Sequence, residues 1–452
     1  MAVHLIAPRT RFPDRGMSCR SAAAGRASVS GVSESAAGVL RRFGPMVYAP
    51  TVLFSLGEGA VIPLIPVIAT RLGADVSLAA LVAAALVIGQ LCGNLPAGAL
   101  VAKVGERVTM VVAGVLSIAA GVGMLLAEHL ALFAASVFVL GFCAAAFGLA
   151  RHAFMTTRVP PRFRARALSL LGGSFRFGVF IGPFVAAALI QLTGSEQSTI
   201  WALIVCCAAI VPLVLFGPDP EKSSPVLLKP TGAAVAEDSG EVVTGSIPTR
   251  DRYGVLETIS YYRGVLMRLG LSAAALSAVR SARQVIVPLW GVSLGLDAST
   301  IAIVVGVSGA IDFALFYASG QVMDRFGRIW AALPAMLLMG AGLIALSFTH
   351  DLDQATMWFA LMAAVLGLGN GLSSGILLTY GADLAPETDP ATFLGAWRTL
   401  TDAGGAAAPV MIASIVALAS LPLATAVMGG VALLGAAGFA VWTPKFLPRR
   451  EH

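Results

Sequence analysis

Charge is scarce in this chain. Only 12% of its 452 residues are Asp, Glu, Lys or Arg, about half of what a soluble domain carries. That excludes an ordinary water-soluble fold. A hydrophobic fraction of 57% and a mean hydropathy of +0.86 point instead to helices that cross a bilayer. Cysteine is sparse and odd in number: Cys19, Cys92, Cys143, Cys206 and Cys207, mostly inside apolar runs. This excludes a disulfide framework and reads as small packing side chains. No Gly-x-x-x-x-Gly-Lys-Ser/Thr loop is present, so ATP does not drive the protein directly. No His/Cys/Asp grouping has metal-ligand spacing, and no Ser/His/Asp set has a supporting context. No enzyme, metal or cofactor is expected. The net charge of +6 comes from basic residues clustered in loops, which membrane topology explains without nucleic acid. Residues 1–44 contain Arg9, Arg11, Arg15, Arg20, Arg26, Arg41 and Arg42 but no apolar core of signal-peptide type. They read as a disordered basic tail, with Met17 an alternative start.

What the chain does have is apolar runs. They lie at about 46–70, 77–101, 108–127, 130–157, 167–192 and 199–216, then at about 266–292, 299–321, 329–348, 356–380, 393–419 and 421–442. Between the two sets, 217–263 is rich in Pro, Ser, Gly and charge and reads as a linker. The expected units are therefore the tail 1–44, bundles 45–216 and 264–444 flanking the linker, and a tail 445–452. The linker, the tails and the loops 102–107, 158–166 and 324–328 hold most of the Lys and Arg. The opposite loops hold Arg71, Glu128, Glu196, Asp297, Asp351 and Asp353. Both termini are expected on the cytoplasmic side, in the cell (inner) membrane. Forty-nine glycines suit helices that pack closely without a hydrophobic drive between them.

The two sets overlay. Pro66 falls on Pro288, Leu72-Gly73-Ala74-Asp75 on Leu294-Gly295-Leu296-Asp297, and Gly98 on Gly320, all at an offset of 222 residues. Leu140-Gly141 falls on Leu366-Gly367, Pro160 on Pro386 and Pro183 on Pro409, at an offset of 226. The expected fold is all-α and polytopic: twelve transmembrane helices in two pseudo-symmetric six-helix bundles.

One short charged stretch lies between two apolar runs: Gly320, Gln321, Val322, Met323, Asp324, Arg325, Phe326, Gly327, Arg328. It resembles the signature loop of the major facilitator superfamily, Gly-x-x-x-Asp-Arg-x-Gly-Arg, in the position of the second half's copy. The first half keeps Gly98, Leu100, Lys103, Gly105 and Arg107, but Ala102 replaces the acid and Glu106 a base. In the family that acid helps latch the halves together at the cytoplasmic side. The resemblance covers roughly 45–444 and implies alternating access to a midplane cavity by a protein that usually works as a monomer. In the fifth run, Gly178, Gly182 and Pro183 resemble the Gly-x-x-x-Gly-Pro motif of the drug/proton antiporter branch. There they let the helix bend and seal against the other half. The Arg that efflux members often carry in the fourth run is missing: Val137 and Leu140 stand in that motif, and the nearest basic residues are Arg151 and His152.

Ionisable groups inside apolar runs are costly, and so are functional candidates. Glu58 lies near the midplane and overlays Arg280; in this fold both helices face the cavity. Glu58 is the expected proton carrier, with Arg280 modulating it or binding an anionic group. Gln90 overlays Asp312, and Arg176 overlays Asp402. Arg176 and Asp312 are expected to pair across the halves, and Gln90 to meet Asp402 or Arg398. Asp312 and Asp402 are further proton-coupling candidates. Arg283 is a second cavity charge or a snorkelling side chain, Asn370 a candidate substrate contact, and Trp397 an interface anchor. The expected function is proton-coupled efflux of a small, partly apolar compound, with membrane lipid around it. The alternatives are symport of an organic anion clamped by Arg280 and Arg283, or a non-transporting receptor or scaffold.

Overall fold

The computed structural model describes residues 44–158, 161–217, 262–385 and 390–447. The basic tail, nearly all of the linker and the last few residues lie outside the described residues, as do the side chains of Arg158, Arg162, Arg164 and Arg166. The described residues contain no strand, as a bilayer demands of a chain that closes no barrel.

Twelve helical spans are long and apolar enough to cross a membrane. Spans 1 to 6 are Met46–Arg71, Val76–Asn94, Glu106–Leu125, Leu130–Met155, Ala167–Thr193 and Gln197–Phe216. Spans 7 to 12 are Arg263–Ser293, Ala298–Phe326, Ile329–Ser347, Ala355–Leu384, Phe393–Leu418 and Leu421–Phe446. Leu81, Leu116, Val205 and Leu434 lie on the outside, well inside their spans. Only hydrocarbon satisfies such a belt.

The repeat is visible in the caps. Asp75 accepts from the Leu78 amide at 2.7 Å, and 222 residues later Asp297 accepts from the Thr300 amide at 3.0 Å. The Thr300 hydroxyl also donates to Asp297, and together these bonds hold its carboxyl below the usual aspartate range. Each cap opens a 29-residue helix, Val76–Val104 and Ala298–Phe326. Each helix ends on a glycine with positive φ, Gly105 at 85° and Gly327 at 94°, a conformation that other residues adopt only under strain.

Two spans are broken. Pro63 and Pro66 put a 3₁₀ turn, Ile62–Leu64, into span 1, because proline removes a donor and clashes with the preceding turn. Gly375, at φ 82°, divides span 10 into Ala355–Leu372 and Ile376–Leu384.

The halves meet along two seams, span 5 on span 8 and span 2 on span 11. An even number of spans puts both chain ends of the bundle on one side, here termed the terminal end. At the opposite, distal end, the Gln191 amide donates to the Ser299 hydroxyl at 3.2 Å and the Ser77 hydroxyl to the Ala413 carbonyl at 3.4 Å. Ala60, Leu64, Ala186, Ala187, Ala298 and Ala302 close the same end with small apolar side chains.

Candidate functional site

Buried charge gathers in two places. In the first half, the Glu58 carboxylate on span 1 is 3% exposed. The Gln90 amide of span 2 donates to it at 3.3 Å. The cation whose charge reaches it is Arg151 of span 4, itself 1% exposed. The Arg151 guanidinium carbon lies 4.9 Å from the centre of the Phe175 ring and 6.0 Å from that of Phe147. Aromatic faces make a partly desolvated cation tolerable.

In the second half the centre is Asp312 on span 8. Its Oδ1 accepts from Arg176 of span 5 at 3.1 Å, across the seam between the halves. Its Oδ2 accepts from the Asn370 amide of span 10 at 2.7 Å, and the Arg283 guanidinium of span 7 lies 3.5 Å away. Asn370 presents its other face to Arg280, whose Nε donates to Oδ1 at 3.2 Å. An amide is the one neutral side chain that can face a carboxylate with its NH₂ and a guanidinium with its carbonyl. Arg283 also donates to the Ser308 hydroxyl at 2.9 Å, which in turn donates a hydrogen bond to the Ala363 carbonyl at 2.7 Å. Arg176 stacks over Phe316, 4.6 Å from the ring centre. Beside it runs an aromatic strip along the seam. Phe313 stacks on Phe180 at 5.5 Å and lies 5.9 Å from Phe177, and Phe184 meets Phe180 edge-on at 5.7 Å.

The structure rearranges several sequence expectations. Glu58 is served by Gln90 and Arg151, and Arg280 turns to Asn370, so equal depth on symmetry-related helices does not bring Glu58 and Arg280 together as a pair. Gln90 reaches Glu58 on the neighbouring helix of its own half, not Asp402 or Arg398 on span 11. Asp402 instead has Arg398, one turn away on its own helix, as its charged neighbour. Arg283 does not snorkel; it is held between Asp312 and Ser308. Trp397 is 1% exposed and its indole donates to the Leu377 carbonyl at 2.9 Å, which makes it a core packing residue rather than an interface anchor.

The glycine motif also faces differently. A Cβ on Gly182 would meet the Leu56 carbonyl oxygen and the Gly59 carbonyl carbon at 2.6 Å, and one on Gly178 would meet Ser55 and the Val52 carbonyl. Both glycines thus let span 5 lie backbone-to-backbone on span 1 of its own half. The opposite half is met by the phenylalanines and Arg176.

The signature loops are tied within their halves. Arg328 Nε donates to Asp383 at 2.8 Å, with Asp324 3.8 Å from the same guanidinium. In the first half Arg107 donates to the Val214 carbonyl at 2.7 Å and to the carbonyls of Leu215 and Gly217. It therefore caps the C-terminal end of span 6, a task that needs no acid at position 102. Gly98, Gly320 and Arg325 sit on the helices that enter these turns.

A groove of about 470 Å³ between spans 2 and 4 is lined only by apolar side chains, including Leu81, Ile88 and Phe138, and by none of the buried charges. A second cleft, about 340 Å³, lies between the halves at the distal end, where Arg71 pairs with Glu196 opposite Asp297.

Residues 50–409, and again 269–451, match the family model described as Major Facilitator Superfamily. The chain belongs to the major facilitator superfamily. It is therefore an integral membrane transporter, not a member of an enzyme family. Among its relatives is the Multidrug resistance protein MdtL of Escherichia fergusonii, 25% identical over 338 residues, covering 75% of this chain and 81% of that one. MdtL of Escherichia coli strain K12 / DH10B matches to the same extent. The fold is shared with solved transporter structures. An auto-inhibited POT family peptide transporter aligns with a TM-score of 0.67 at 12% identity, covering 91% of this chain and 99% of that chain. A POT family transporter in complex with a thioalcohol-conjugated peptide aligns at 0.69 and 11% identity, covering 90% and 97%. At such identities the likeness concerns the fold alone.

Proposed function

We propose that this facilitator is a proton-coupled exporter of a small, partly apolar compound, with Glu58 as the proton carrier. The observation that carries the reading is the position of Glu58. It is a buried carboxylate next to the proline-broken part of span 1, on the helix that span 5 packs against through Gly178 and Gly182. A carboxylate there changes its charge at small cost only when its surroundings change, which is what alternating exposure to the two sides provides. Binding of cargo and of proton then bias the same two-state element. The relatives named for multidrug resistance agree with export, and the positive-inside distribution agrees with cytoplasmic termini. Both charge clusters are built from side chains of a single chain, in line with a monomer.

The test is substrate-induced proton flux in inverted vesicles with an acidic interior, wild type against Glu58→Gln. Proton release on adding a transported compound, lost in Glu58→Gln, is the expected result. Release that persists in the variant would move the coupling to Asp312 or Asp402. Protons travelling in the same direction as the compound would replace antiport by symport.

A further inference from the structure

We infer that the cargo is an organic anion, its acidic group seated on Arg280 and Arg283 of span 7 and its apolar body lying along the phenylalanine strip of spans 5 and 8. As a statement about cargo this rests on the transport reading above; as a statement about a binding seat it stands alone.

The first observation is the charge inventory inside the membrane. Around Asn370 the second cluster holds Arg176, Arg280 and Arg283 against the single carboxylate of Asp312. Cations exceed carboxylates by two. In a low-dielectric interior an excess of one sign is relieved by a ligand of the other sign and aggravated by one of the same sign. An interior of this composition repels lipophilic cations and accepts anions.

The second observation is where the excess sits. Arg280 and Arg283 are three residues apart and so share one face of span 7. Asn370 and Asp312 are the groups they meet. Two cationic side chains, Arg176 and Arg283, thus meet one carboxylate, and Arg280 reaches it through Asn370. Asp312 behaves as a resident anion whose geometry shows what the seat takes: an acceptor with two oxygens, one toward Arg176 and one toward Asn370 and Arg283. Its grip on Arg283 is the loosest of the three, at 3.5 Å.

The third observation is an unused donor. Arg283 Nε is buried and has no hydrogen-bond partner among the described residues. A guanidinium offers its donors as a planar fork that matches a carboxylate with two parallel bonds. Here one side of the fork is spent on Ser308 and Asp312, and Nε–H is left over. A carboxylate or sulfonate arriving at Arg283 uses that donor, while Asp312 keeps Arg176 and Asn370. Next to Asp312, Phe313, Phe177 and Phe180 offer an apolar surface to whatever carries the acidic group. If one proton enters for each monoanion that leaves, both movements run down an inside-negative membrane potential, so antiport of an anion is doubly driven.

The experiment uses three probes with one apolar body and different charge: naphthoate, naphthalenemethanol and naphthylmethylammonium. Thermal unfolding of the purified full-length protein in detergent is followed with each, at neutral pH and fixed ionic strength. Naphthoate is expected to raise the unfolding temperature saturably, and the alcohol and the ammonium are not. The apparent affinity for naphthoate falls about tenfold or more in Arg283→Gln, is partly kept in Arg283→Lys, and tightens in Asp312→Asn, where the resident carboxylate is gone. Stabilisation by the ammonium equal to that by naphthoate overturns the proposal. So does a naphthoate shift unchanged in Arg283→Gln, or no saturable naphthoate shift in either wild type or Asp312→Asn. Should Arg283→Gln fail to fold, the ranking of the three probes in wild type and Asp312→Asn decides. No gradient is involved, so naphthoate binding without proton flux sinks the antiport reading and leaves the seat. Proton flux driven by the ammonium does the reverse.

Discussion

Asp312 has donors from three other helices, one of them in the opposite half. At this scale the arithmetic of buried charge decides the outcome. Removing the carboxylate strands Arg176 and Arg283 in a place where neither is well solvated. Breaking a buried ionic group from one side costs about 3–5 kcal/mol. Asp312→Ala is expected to lower stability by roughly the lower end of that range, since the site is not fully sealed. The double variant Asp312→Ala/Arg176→Leu should recover part of the loss, because it removes one of the stranded cations. Thermal unfolding in detergent measures both. A loss in the double variant equal to the sum of the losses in Asp312→Ala and in Arg176→Leu alone would show that the pair is not coupled. The residue scale is also where the sequence was least legible. Spacing placed Arg176 and Asp312 at a common depth, and the structure finds them 3.1 Å apart. It could not say which way Gln90 or Arg280 turns, because rotamer and helix rotation are set by neighbours far away in sequence. Arg151 was in plain view inside an apolar run, which is itself the signal. That its charge reaches Glu58 needed the packing of span 1 on span 4, seen in Phe54 stacked on Phe147.

Span 5 shows how one helix serves two partners at the level of elements. Its glycine face lies on span 1, and its phenylalanine and arginine face lies on span 8. Gly182→Ala inserts a methyl group between backbones already in contact, and overpacking of that kind costs about 1–3 kcal/mol. Gly173, on the same helix, has open space where a Cβ would go. Gly173→Ala should be neutral or stabilising by up to about 1 kcal/mol through helix propensity. Folded yield and unfolding temperature of the two variants give the comparison; a milder effect for Gly182→Ala than for Gly173→Ala would contradict the packing. The motif Gly178, Gly182, Pro183 could be read from sequence, but not the face it presents. A helix carries both faces in every turn, and only tertiary contact says which neighbour owns which.

For the molecule as a whole, the repeat was the most legible feature. A constant offset of 222 residues placed Asp75 on Asp297 and Gly98 on Gly320, and the structure returns equal 29-residue helices with the same caps and the same glycine turns. Such features are local and periodic, so sequence carries them. The chemistry lies where the repeats differ: Glu58 against Arg280, Gln90 against Asp312, Arg176 against Asp402. On the proposed reading one half moves against the other, and the distal contact between spans 5 and 8 then opens and closes in every cycle. The most direct measurement is a reversible thiol cross-link across that contact, Gln191→Cys with Ser299→Cys, in a chain whose native cysteines are replaced. The native side chains meet at 3.2 Å, and because cysteine is shorter than glutamine a short bis-methanethiosulfonate reagent bridges the two thiols. Transport that stops on cross-linking and returns with reductant is the predicted result. Full cross-linking with undiminished transport would contradict alternating access by movement of the halves.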